Sequence, residues 1–128
     1  MSFRWIFRAG LVCLASLAYA HHSPTAVFDM AKRVTVTGTL TKVNWVNPHI
    51  VINVDGTDGK KEAWTMESNP PAWFRRVGVN RADFAKSIGQ NVTIECVRAR
   101  DGSAYAYMQK ITFPDKTSLE LIVTEPGK

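Results

Sequence analysis

The sequence is poor in cysteine, histidine and long apolar runs. Two cysteines, Cys13 and Cys96, and three histidines, His21, His22 and His49, are all that its 128 residues supply. No G-x-S-x-G, H-E-x-x-H, P-loop or C-x-x-C motif occurs, and the acidic residues are not paired at a spacing that suggests acid and base roles. Ser23 beside His22 is no triad, because a base on a chain segment without regular pattern is not held in place. Enzyme is therefore the disfavoured class. The 8 glycines and 6 prolines follow no G-X-Y period and no heptads appear, which excludes collagen and coiled coil. With 45% apolar residues and this length, the chain has room for one domain and one core.

What is present begins with an address. Met1 to Arg8 carries Arg4 and Arg8, and an uncharged apolar run follows from Ala9 to Ala18-Tyr19-Ala20. A basic start, a short apolar stretch and small residues at the third-last and last positions predict a secretory signal peptide over residues 1–20, cut after Ala20. The run is shorter than the roughly 20 apolar residues that a retained membrane helix needs. Val12 before Cys13 stands where a lipidated cysteine has a small residue, so no stable membrane anchor is expected. The mature chain, starting at His21, has 14 basic and 11 acidic side chains, a net charge of +3. Such a balance is no nucleic-acid footprint. Periplasmic or fully secreted location is expected, with Cys96 left without a partner in the same molecule.

The mature sequence reads as strands around a short helical insert. Val34, Val36, Gly38 and Leu40 alternate with Thr35, Thr37, Thr39 and Thr41, a period of two that marks a half-buried strand. The apolar set then moves to Val43 and Trp45, so a bulge is expected between Leu40 and Val43. Asn47-Pro48 is turn chemistry, and Ile50, Ile52 and Val54 line one face of a second strand. Asp55 to Lys60 makes a hairpin connection into a third strand over residues 61–67, with Trp64 and Met66 inward.

Ser68-Asn69-Pro70-Pro71 places a capping residue before prolines suited to a first helical turn. A short helix with Trp73, Phe74 and Val77 as its apolar face should end at Gly78. Asn80 and Asp83 look like a second helix start, with Phe84 and Ile88 inward. Strands resume through Val92, Ile94 and Cys96, turn at Arg100-Asp101-Gly102-Ser103, run from Tyr105 to Phe113, and turn again at Pro114-Asp115-Lys116 before Leu119 to Val123. This order predicts a mainly β fold, a small OB-like Greek-key barrel of five to six strands with the helical insert between strands three and four. An immunoglobulin-like sandwich would have more strands and no insert. The division expected is a signal peptide over 1–20, an N-terminal arm over 21–33, the barrel over 34–123 and a tail over 124–128.

The residues resemble a family of small exported bacterial proteins classed only as a domain of unknown function. The resemblance rests on His21-His22-Ser23, Phe28-Asp29, Val34-Thr35-Val36-Thr37-Gly38, Trp45-Val46-Asn47-Pro48-His49, Arg75-Arg76 and Arg98-Ala99-Arg100-Asp101-Gly102-Ser103. Gly89-Gln90 stands where Gly-Asp would be expected, a change that leaves the turn intact. The resemblance implies an exported β-rich domain and carries over no catalytic residue.

Chemistry has three candidate locations. After cleavage His21 would own a free α-amine, which with its imidazole can chelate a metal; His49 is the candidate third nitrogen, and His22 offers an alternative through the amine, an amide and its ring. Such nitrogen sets suit copper. The plainer alternative is that the histidine pair follows a processing site and that His49 caps the Asn-Pro turn. Cys96 shares the phase of Val92 and Ile94 and reads as a small buried hydrophobe, and Asp29 as a solvated carboxylate or an outer partner of the site. Trp45, Tyr105 and Tyr107 are candidates for an aromatic ligand strip, and Arg75 and Arg76 for a partner surface on the insert. Against these stand ordinary core packing and a solvated helix face. The function expected is an exported binding or accessory module for a protein or small ligand, with copper binding as the alternative.

Overall fold

The computed structural model of the chain describes residues 24–121. The signal-peptide, His21, His22 and tail expectations lie outside these residues. A single turn, α1 (Pro24–Val27), leads into β1 (Phe28–Asn44); β2 (Val51–Gly56) and β3 (Ala63–Glu67) follow. The insert consists of α2 (Pro71–Arg76) and α3 (Arg81–Ala85), and β4 (Asn91–Ala99), β5 (Tyr105–Thr112) and β6 (Ser118–Glu120) complete the order.

β1 decides the architecture because it serves two neighbours. Its first part pairs antiparallel with β4, from Phe28 opposite Ala99 to Thr39 opposite Asn91. Its last part pairs with β2, and between Leu40 and Lys42 the register shifts, the bulge that the change of apolar phase predicts. Thr41, left out of the ladder, donates its hydroxyl to the Asn53 carbonyl at 3.2 Å. The sheet order is β3-β2-β1-β4-β5-β6, and a further parallel pairing of β3 with β5 closes it in a ring. The mainly β, OB-like arrangement with its insert between the third and fourth strands is thus present, with β6 appended to β5.

Alternation sends one face of each strand inside. Leu40, Ile52, Val54, Met66, Ile94, Cys96, Met108 and Ile111 are fully buried. The insert adds Phe74 and Phe84, whose rings meet edge to face at 5.5 Å, and Phe113 reaches Phe84 at 5.3 Å. Arg98 lies over the Trp64 ring at 4.5 Å and pairs with Glu62 at 2.7 Å, so the charged head covers apolar surface while staying in contact with water.

Several local expectations are corrected. Residues 28–33, expected as part of an arm, are already strand, because Phe28 is buried and tied to the sheet opposite Ala99. α2 has Pro70 at its cap with no side-chain cap bond, since Ser68 and Asn69 turn inward instead: the Ser68 hydroxyl donates to the Ile50 carbonyl at 3.0 Å. Val77 and Ile88 are 48% and 45% exposed rather than inward, for α2 stops at Arg76 and α3 at Ala85, which removes the helical phase that would have buried them. Conversely, the helix start expected at Asn80 and Asp83 is capped from both sides: Asn80 N–H donates to Asp83 Oδ2 and Ala82 N–H donates to Asn80 Oδ1, each at 2.9 Å. Gly78 and Gly89 take positive φ where the helices end. β6 spans only Ser118–Glu120.

Candidate functional site

The outer surface of the ring, along the seam where β3 and β5 run parallel, gathers the polar chemistry. Thr65, Met66 and Glu67 stand opposite Tyr105, Ala106 and Tyr107. Met66 and Ala106 point into the core. Alternation therefore puts Glu67, Tyr105 and Tyr107 outside. His49 joins them because Ile50, the next residue, is buried, and because the backbone around Ile50 is tied to the end of β3: Ile50 N–H donates to Asn69 O at 3.2 Å and Ser68 N–H to Ile50 O at 2.9 Å.

Within this seam His49 Nδ1 and Glu67 Oε1 are 3.4 Å apart, both side chains partly exposed. The imidazole stands edge-on to the Tyr107 ring, with centroids 6.4 Å apart. Tyr105 bonds the Glu67 carboxylate; burial, that bond and the carboxylate charge hold its hydroxyl far above the ordinary tyrosine range. Tyr107 is pushed up to about 12, by burial first and the Glu67 charge second. Its hydroxyl donates to Asn69 Oδ1 at 2.8 Å. Asn69 itself is 5% exposed, and its Nδ2 has no hydrogen-bond partner among the described residues.

The start of the described chain covers one flank of the seam. The Phe28 ring packs against Tyr105 at 5.2 Å and Tyr107 at 5.6 Å, and with Val97 and Ala99 forms a second apolar cluster outside the ring. Arg100 holds the segment before it: its N–H donates to Val27 O at 2.9 Å and its Nε to Thr25 O at 3.0 Å. The N-terminal segment is thereby anchored on the hairpin between β4 and β5, beside the tyrosines.

Of the residues singled out in the sequence, His49, Tyr105 and Tyr107 come together here. Trp45 does not; it packs on Phe74 at 5.5 Å and Phe84 at 5.8 Å, because the bulge in β1 rotates it toward the insert. Arg75 and Arg76 stay exposed at the end of α2, with no ion pair among the described residues. Cys96 sits inside the ring, its thiol pushed up to about 12 by burial and 3.6 Å from the Val34 carbonyl. Asp29 accepts the Ala31 N–H at 3.1 Å, a local turn contact. Sequence reasoning missed Glu67, Asn69 and Phe28. Glu67 was visible only as the outward neighbour of Met66, and Asn69 looked like a helix cap. Among the described residues no three His, Cys, Asp or Glu side chains converge as a metal-holding group, and no helix is long and apolar enough to cross a membrane.

These features define a class: a small, mainly β domain whose sheet closes in a ring and carries an aromatic, carboxylate and imidazole seam on its outer face. The chain belongs to a family of unknown function, DUF6152, whose model matches residues 9–108. That span contains every seam residue named above. No curated protein and no solved structure matches the chain.

Proposed function

We propose that the protein is an exported binding or accessory module, and that its ligand face is the outer seam between β3 and β5. The observation that carries this reading is the Asn69 side chain, buried beside Tyr107 with a donor nitrogen that no described residue receives. An unmade hydrogen bond on a buried polar group costs about 1–3 kcal/mol, a cost removed when the amide turns outward to an acceptor that a ligand supplies. The surrounding groups support the same reading. His49, Glu67 and Tyr105 offer one imidazole, one carboxylate and one hydroxyl from neighbouring backbone segments, on a rigid sheet that needs no rearrangement to present them.

Nitrogen-15 correlation spectra of the mature chain, recorded while fractions of a small-molecule periplasmic extract are added, test the assignment. Shifts should concentrate at Glu67, Asn69, Tyr105 and Tyr107 and vanish in Glu67→Gln. Shifts that map instead to α2 and its exposed Arg75 and Arg76 would move the binding surface to the insert and refute the seam.

A further inference from the structure

We propose that the helical insert is a second working surface, separate from the seam, and that it rests reversibly on a bilayer of anionic phospholipid. The first support is where the charge lies. Residues 70–90 carry Arg75, Arg76, Arg81 and Lys86 against Asp83 alone, whereas the other described residues carry nine basic and nine acidic side chains. The whole positive excess of the described chain therefore stands on the insert. Lys86 is partly neutralised, 3.5 Å from Asp83 and lining one cleft with Asp115. Arg75, Arg76 and Arg81 are exposed and make no ion pair among the described residues. Three guanidinium groups set so close along the chain repel one another, and an anionic surface relieves that repulsion.

Charge alone would suit any polyanion, and the apolar side chains among the arginines choose the bilayer. Val46, Val77 and Ile88 are three of the four large apolar side chains that stand exposed among the described residues. Val77 and Ile88 belong to the insert, and Val46 follows Trp45, whose ring packs on Phe74 and Phe84 of the insert. At about 100° per residue, Arg76 falls opposite the side of α2 that buries Pro71 and Phe74, with the partly buried Trp73 beside it. Arginine, tryptophan and aliphatic side chains on one surface match a headgroup layer, which offers phosphate at its face and hydrocarbon beneath; a soluble acidic partner need offer only the first. The surface is also held in place. Val79 N–H donates to Phe74 O at 2.9 Å and Gly89 N–H to Leu40 O at 2.8 Å, fixing both turns of the insert to the buried ring. With six residues in α2 and five in α3 the contact is peripheral and spans nothing.

The experiment uses the chain from residue 21 onward, so that the apolar leader cannot insert on its own account. It is mixed with vesicles of phosphatidylglycerol and phosphatidylcholine, with vesicles of phosphatidylcholine alone, and with soluble polyglutamate. Binding is read by co-sedimentation with the vesicles and by competition from polyglutamate, and burial of the insert by a blue shift of tryptophan emission. Binding to the anionic vesicles is expected, falling as salt rises. Each basic side chain near an anionic leaflet strengthens binding about fivefold, so Arg75→Gln/Arg76→Gln/Arg81→Gln should weaken it about a hundredfold. The charge-keeping Arg75→Lys/Arg76→Lys/Arg81→Lys should bind nearly as the wild type does, which separates loss of charge from misfolding. Val77→Ser/Ile88→Ser should weaken binding roughly tenfold and shrink the emission shift, because less apolar surface leaves water. Equal binding to the two kinds of vesicle, or a glutamine variant that binds as the wild type does, would overturn the inference. So would a lysine variant that folds and no longer binds. Polyglutamate that displaces the vesicles at equal charge concentration would assign the surface to an acidic polymer and overturn the bilayer. None of the substituted residues belongs to the seam, so failure here leaves the ligand-face reading standing.

Discussion

The Tyr107 hydroxyl donates to Asn69 Oδ1 at 2.8 Å, joining β5 to the turn that leaves β3 for the helical insert. The two residues are 38 apart in sequence, and both are buried. Their bond thus couples the closure of the ring to the position of the seam. Removing the hydroxyl with Tyr107→Phe leaves the whole Asn69 amide without a partner and should cost about 1–3 kcal/mol in urea unfolding. Adding Asn69→Ala on top should cost much less than Asn69→Ala does alone, because the amide left stranded is then gone. Strict additivity of the two changes would show that the bond contributes nothing.

Closure also depends on how near β1 comes to β2. A Cβ at Gly38 would lie 2.3 Å from the Asp55 carbonyl oxygen, a backbone atom that cannot swing aside. Gly38→Ala should therefore lower stability by about 1–3 kcal/mol, as overpacking does elsewhere. Thermal unfolding of the variant checks this, and an unchanged midpoint would mean that the two strands separate freely at this point.

Cys96 provides a chemical test of the interior. Its thiol is pushed from 9.0 to about 12 by burial, so the folded chain keeps a proton that the unfolded chain releases. The resulting stability is fully present below pH 9 and is lost as pH rises toward 12. Urea melts at pH 8, 10 and 11 should show a decline that is smaller in Cys96→Ala. A thiol reagent at pH 8 should label the unfolded chain promptly and leave the folded one intact. Rapid labelling of native protein would contradict a closed ring.

The capping box at the start of α3 is a local feature with a local consequence. Asn80→Ala removes the acceptor of the Ala82 N–H and should cost about 1 kcal/mol. Chemical denaturation would reveal it. The capping residues Asn80, Ala82 and Asp83 are not among the seam residues of β3 and β5, so seam shifts should stay as in the wild type.

Phe28 links the N-terminal segment to the seam by packing alone. Phe28→Ala should lose about 3–5 kcal/mol, the usual cost of emptying a buried aromatic site. If the ring still folds, the extract-induced shifts at Tyr105 and Tyr107 should shrink, because both rings lose the Phe28 ring packed against them. Unchanged shifts in a folded Phe28→Ala chain would show that this packing has no part in binding.

By itself the amino-acid order determined the features that depend on neighbours a few positions away. The alternation from Val34 to Leu40 requires a strand, the change of phase before Val43 requires a bulge, and Asn80 with Asp83 requires a capped helix; all three appear where their residues lie. His49, Tyr105 and Tyr107 could likewise be placed on outward faces by counting in twos from their buried neighbours. Only the tertiary structure decided which outward faces meet. The parallel contact of β3 with β5 joins residues about forty positions apart, and no local pattern encodes it. That contact turned Glu67 from an unremarked strand residue into a partner of His49 and Tyr105, and Asn69 from an expected cap into the acceptor for Tyr107. Trp45 went instead to Phe74 and Phe84 on the insert, partly buried, because short-range periodicity sets the side of a strand while tertiary packing chooses its company.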